Sequence, residues 1–191
     1  MRWIWISLCA LLPTLALAGG NDLARDIDLV VKQGRGTQAG RQAWDRLSQA
    51  SPDALPRLLE AMNTPDTVAA NWLRLAFDRV ADRDPRGIDA DRLHAFVQDP
   101  KKNGRARRFG LDYLDRLRPG SRDKLLPQWL DDPEFRHEAV DFVLRRAGEA
   151  DKTGDAAAAR KLYLEAFHHA REIPQARAAA AGLEKHGKTV S

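Results

Sequence analysis

Cysteine is nearly absent: the single residue, Cys9, lies inside the one long apolar run at the N-terminus. The chain beyond that run therefore has no disulfide, no thiol nucleophile and no cysteine-based zinc site. Catalytic signatures are missing too. There is no Gly-x-Ser-x-Gly elbow and no phosphate-cradling glycine loop, and beyond the run serine occurs only as Ser48, Ser51, Ser121 and Ser191. The histidines are His94, His137, His168, His169 and His186, with no pair at the i, i+4 spacing a helical zinc site uses. His168 and His169 are adjacent, so on a helix they point about 100° apart. The close carboxylates Asp131-Asp132 and Asp82-Arg83-Asp84 precede Pro133 and Pro85. Aspartate before proline serves turns and helix N-caps, which is a better reading than a glycosidase pair. These absences predict a chain with no enzymatic activity, no cofactor and no metal.

The apolar run follows Arg2 and extends from Trp3 to Ala18, ending in Ala16-Leu17-Ala18 before the polar Gly19-Gly20-Asn21-Asp22. At 16 residues it is shorter than the roughly 18–20 needed to span a bilayer. Ala16 and Ala18 are the small side chains that signal peptidase pockets accept. Residues 1–18 are thus read as a signal peptide cleaved after Ala18, with an uncleaved membrane anchor as the alternative. The protein is expected to be exported, periplasmic or secreted, with no transmembrane segment after cleavage.

The remainder reads as helix throughout, with apolar residues recurring every three to four positions and no alternation of period two. Leu23, Ile27, Val30 and Val31 form one stripe, and Gly40, Ala43, Trp44 and Leu47 another. Ala69, Trp72, Leu73, Ala76, Phe77 and Val80 trace one face of a long helix. Trp72 lies centrally on that stripe, so Trp72→Ala is expected to cost about 3–5 kcal/mol as a large aromatic leaving a core. Trp44 and Trp129 are read the same way, as core spacers.

Three segments share a Leu-x-x-apolar-apolar pattern: Leu55-Pro56-Arg57-Leu58-Leu59, Leu93-His94-Ala95-Phe96-Val97 and Leu126-Pro127-Gln128-Trp129-Leu130. Their starts are 38 and 33 residues apart. Proline turns follow at Pro65, Pro100 and Pro133, and each leads to a second amphipathic helix. Helix pairs repeated at such intervals predict an all-α solenoid, because one pair cannot bury its own apolar face. The stretch Leu55-Pro56-Arg57-Leu58-Leu59-Glu60-Ala61-Met62 with Val68-Ala69-Ala70-Asn71-Trp72-Leu73-Arg74 resembles the HEAT-like, armadillo-type repeats of exported bacterial proteins. The resemblance covers roughly residues 40–150. Further on, Ala147, Gly154-Asp155, Ala159, Tyr163 and Ala166 are similar to the turn and packing positions of a tetratricopeptide helix pair. The expected organisation is a signal peptide (1–18), N-terminal capping helices (19–51), HEAT-like repeats (52–153), tetratricopeptide-like C-terminal helices (154–187) and a short tail (188–191).

Charge is modest overall, with a formal net value of +4. It is concentrated between Lys101 and Lys124, where nine basic residues face only Asp112, Asp115 and Asp123. Lys101, Lys102, Arg105, Arg107 and Arg108 surround the start of a helix, where cations oppose the helix dipole. The neighbouring Phe109, Gly110, Tyr113, Leu114 and Leu117 already supply a buried stripe, so packing should not demand these charges. The five residues are therefore candidates for binding an anionic partner. Export favours another protein or an anionic cell-envelope component over nucleic acid. The resemblance implies a non-enzymatic scaffold or protein-interaction module in the envelope. The alternative is an accessory N-terminal domain of a larger secreted enzyme whose catalytic part is not in this chain.

Overall fold

The computed structural model describes residues 19–187. The signal-peptide reading of 1–18 and the tail 188–191 lie outside the described residues. Within them the chain is all-α, with ten α-helices, four short 3-10 turns and no strand. The helices are α1 (Gly19–Gln33), α2 (Gln38–Ser48), α3 (Leu55–Ala61), α4 (Thr67–Arg83) and α5 (Ala90–Gln98). They continue as α6 (Gly104–Leu117), α7 (Ser121–Leu125), α8 (Arg136–Thr153), α9 (Ala156–His169) and α10 (Ile173–Lys185).

Short polar side chains set the helix starts. Asp66 accepts from the amides of Val68 and Ala69, Asp89 from Asp91 and Arg92, Asn103 from Ala106, and Asp155 from Ala158. Each satisfies amides that have no partner within the helix. Asp84 accepts from Gly87 in the turn after α4, so it acts as a turn former. Pro56 is tolerated because it sits in the first turn of α3, where no intrahelical donor is required. Pro127 behaves differently. The pattern at 126–130 leads one to expect a helix there, but α7 ends at Leu125 and Leu126–Gln128 is a single 3-10 turn. A continued α-helix from Ser121 would place Pro127 in its interior, where the missing N–H breaks the hydrogen-bond ladder.

α1 packs on α2, and both pack on α4; α3 pairs with α4, and α5 with α6. One contiguous core runs through these helices and on through α8, from Val30 to Ala179. Phe77 is fully buried and meets Phe109 and Tyr113 edge-on at ring separations of 5.0 and 4.9 Å. Those aromatics join α4 to α6. Trp129 stacks on Phe135 at 4.4 Å in the loop before α8. Trp44 and Trp129 are buried, whereas Trp72 is half-buried. Trp72 sits at the edge of the α4 stripe, and the Trp44 indole fills the neighbouring interior, donating to the Trp72 carbonyl at 2.8 Å. The expectation of Trp72 as the central core residue is corrected accordingly: Phe77 holds that place.

The C-terminal hairpin has a smaller cluster of its own, made by Ala147, Ala159, Tyr163 and Leu183. Gly154 ends α8 at φ 80°, a conformation in which a side chain would be strained, and the chain reverses there into α9. α10 approaches through Gly182, where an added Cβ would fall 2.4 Å from the Tyr163 ring. That ring is anchored, because its hydroxyl donates to Asp151 at 2.9 Å. His186 meets the other oxygen of Asp151 at 2.7 Å. Burial alone would raise the Asp151 pKa, but these two hydrogen bonds outweigh it and hold the carboxyl below its ordinary value. Gly182→Ala should therefore lower the melting temperature. Overpacking costs about 1–3 kcal/mol, which exceeds the helix-propensity gain of about 1 kcal/mol. A higher melting temperature would show that Tyr163 moves aside freely.

Candidate binding surface

The basic segment is divided by the fold. Lys101 is exposed, and its backbone amide donates to Asp99 at the turn before α6. Lys102 reaches back to Glu60 at the end of α3, 2.7 Å away, with its ammonium 5.6 Å above the Phe96 ring centre. The hydrogen bond that the ammonium donates to Glu60 raises the Lys102 pKa above its usual value. Arg105 is exposed.

Arg107 points inward and is 1% exposed. Its Nε donates to the Val97 carbonyl at 2.8 Å, and its two terminal nitrogens grip the Asp132 carboxylate at 3.1 and 2.7 Å. The guanidinium lies 4.8 Å from the Phe135 ring centre. Every part of the fork thus has a partner, as a buried cation requires. Asp132 also accepts from the amides of Glu134 and Phe135, so it shapes the turn ahead of α8 as well as pairing with Arg107. Burial pushes the Asp132 pKa up, but the Arg107 hydrogen bond and the two amides prevail and hold it below the ordinary carboxylate range.

Arg108 bonds to the Glu134 side chain and carbonyl and to Glu138. Burial disfavours its charge, but these carboxylates more than compensate and raise its pKa. Gly104 makes this crossing possible, since a Cβ there would lie 2.0 Å from the Glu134 carboxylate. The acidic cluster from the turn before α8 therefore covers the start of α6 and offsets the cations that oppose its dipole. Packing does demand Arg107, and Arg108 is committed to two carboxylates. The expectation that all five residues are spare surface charge is corrected on this point.

Further along, Arg122 bridges Asp112 at 2.5 Å and Glu138 at 3.3 Å, and Arg118 pairs with Asp91 at 2.7 Å. Among the described residues, Lys101 and Arg105 of the five candidates have no carboxylate partner. Arg74, on α4, is a residue the sequence did not single out. It rests 5.1 Å from the Phe109 ring centre, and among the described residues its carboxylate contact is a loose 4.0 Å to Asp78. The signal that could have found it is its place on the stretch Val68–Arg74, where it is exposed on α4 next to Leu75.

That face carries two large apolar side chains in solvent, Val68 at 59% and Leu75 at 45% exposure. They are seven residues apart, hence on the same side of α4, with Asn71 between them. The opposite side of the helix is closed by Ala69, Leu73, Ala76, Phe77 and Val80. Among the described residues, no group of three or more His, Cys, Asp or Glu side chains is arranged to hold a metal, and no helix is long and apolar enough to cross a membrane. No family model, curated protein or solved structure matches the chain.

Proposed function

We propose that this chain is an exported, non-enzymatic helical-repeat module that binds another protein of the cell envelope. The observation carrying this reading is the outer face of α4, where Val68 and Leu75 stand in solvent beside Arg74. Apolar side chains rimmed by arginine are the surface composition that protein partners use. The HEAT-like reading assigns α3 with α4, α5 with α6, and α7 with α8 to successive repeats, the second helix of each pair carrying the binding face. The tetratricopeptide-like reading assigns α8 and α9 to a further pair, supported by the buried Ala147, Ala159, Tyr163 and Ala166 and by the left-handed Gly154 between them. The apolar run ending Ala16-Leu17-Ala18 supports export.

Two measurements test the proposal. N-terminal sequencing of the protein recovered from the envelope fraction should begin near Gly19; an intact Met1 rules out cleavage after Ala18. A photo-crosslinker placed at Leu75 in the producing cell should trap a discrete protein adduct, and one at the exposed Lys161 on α9 should not. Equal labelling from both positions, or none from Leu75, defeats the binding-face assignment.

A further inference from the structure

Beside the exposed face of α4 lies a cleft of about 210 Å³ between α4 and α6. Met62, Ala70 and Phe109 line it with apolar surface, and Asn71, Arg74 and Arg105 bring polar groups to it. The two helices meet through the Phe77, Phe109 and Tyr113 rings. These long spacers leave room beside the aromatic contact, and the cleft occupies it.

The charge within the cleft is unbalanced in a specific way. Arg108 also lines it, but Glu134 and Glu138 already occupy that guanidinium. Asp112, the one carboxylate in the lining, is held by Arg122 at 2.5 Å and so does not neutralise its neighbours. Arg74 lies over the Phe109 ring, and its carboxylate contact among the described residues is the loose 4.0 Å one to Asp78. Arg105 has no carboxylate partner among the described residues. Two guanidiniums and one side-chain amide thus serve a single small apolar-floored space.

The geometry points to this cleft as the receptor for one acidic side chain of a partner peptide, with the apolar residues flanking that acid resting on Val68 and Leu75. A carboxylate is planar and matches the guanidinium fork. Its aliphatic stem suits the Met62, Ala70 and Phe109 floor. Val68 and Leu75 flank Asn71, which lines the cleft, so a peptide that enters from the exposed side of α4 crosses them. Further along the same helix stand Asp78 and Asp82. They repel a continuous acidic run, so the ligand is a single acid within an apolar stretch and not a polyanion.

This inference rests on the binding-module reading, and its test separates the two. The purified protein is titrated with a labelled peptide holding Leu-Glu-Leu between Gly-Ser flanks, and with its Leu-Gln-Leu counterpart, at low and high salt. The Glu peptide should bind, more tightly at low salt, and the Gln peptide should bind roughly tenfold more weakly or worse, as expected for lost charge-assisted hydrogen bonds. Arg74→Gln combined with Arg105→Gln should reduce binding similarly, with an unchanged thermal melt because both residues are exposed. Lys124→Gln, an exposed cation elsewhere, should bind as the parent does. The assignment is overturned if the two peptides bind alike, if the double variant binds as the parent, or if inorganic phosphate at the peptide's own concentration displaces it. If the Leu75 crosslink persists while the peptide result fails, the module reading stands and the cleft assignment falls.

Discussion

Asp132→Ala should destabilise the protein by about 3–5 kcal/mol, because it leaves Arg107 charged, buried and without its counter-ion. Arg107 is 1% exposed and the Asp132 side chain 7%, so the guanidinium left behind sits mostly out of reach of bulk water. Two turn amides, of Glu134 and Phe135, lose their acceptor in the same variant. A loss of this size is a large share of the roughly 5–15 kcal/mol that stabilises a domain. Asp132→Asn can keep one acceptor oxygen for the turn amides but loses the charge and turns an NH2 donor toward Arg107, so it should fall between Ala and the parent. The double variant Arg107→Met with Asp132→Ala should lose less than the sum of the single changes, since no unpaired charge remains. Urea denaturation of the parent, the two Asp132 variants, Arg107→Met alone and the double variant measures this. Additive losses would mean that the pair does not act as a unit.

The same carboxylate gives an acid dependence of known sign. Its pKa is lower in the folded protein than in the unfolded chain, so the unfolded chain takes up this proton first as pH falls. The contribution is complete above the ordinary carboxylate value of about 3.9 and is lost as pH drops through the folded value. Asp132→Asn should therefore show a shallower acid-denaturation curve than the parent over that window. Parallel curves would place the acid sensitivity on other groups.

What was legible in the sequence was what depends on near neighbours. Apolar spacing at i, i+3 and i+4 is a property of one helix, so the stripe from Ala69 to Val80 matches the buried face of α4, and the proline and aspartate punctuation matches its ends. Asp132 was legible as a turn former for the same reason. The basic segment was misjudged because its balance is set at a distance. Within Lys101–Lys124 three acids oppose nine bases, yet Glu60, Asp91, Asp132, Glu134 and Glu138 arrive from other elements. Arg107 and Asp132 are 25 residues apart, and no local pattern distinguishes Arg107 from Arg105, two positions away. The cleft was invisible for a related reason: Arg74 and Arg105 belong to different helices and share a space only because aromatic side chains set the gap between them. The extent of Trp72 burial likewise depends on how α2 lies against α4, which the α4 stripe does not encode.

Phe77→Ala should cost about 3–5 kcal/mol, and more than Trp72→Ala, reversing the order that residue size and stripe position suggest. Phe77 is fully buried and contributes to two edge-on aromatic contacts, each worth about 0.5–1.5 kcal/mol beyond area burial. It also borders a small void among Leu55, Leu59, Leu93 and Phe96, which the truncation would enlarge. The surroundings come from α3, α4, α5 and α6, so no single helix can shift inward to refill the space without disturbing the others. Trp72 presents a different balance. Part of its indole already faces water, and the hydrogen bond it receives from Trp44 ends on its backbone carbonyl, which survives the change to alanine. Because Val30 in α1 and Ala179 in α10 belong to the same contiguous core, each variant should still unfold in one transition. Chemical denaturation followed both by helical circular dichroism and by tryptophan emission reads the ordering and the cooperativity together. Were Trp72→Ala the more damaging change, the junction of α2 with α4 would be the stability centre of the chain instead of the Phe77 cluster.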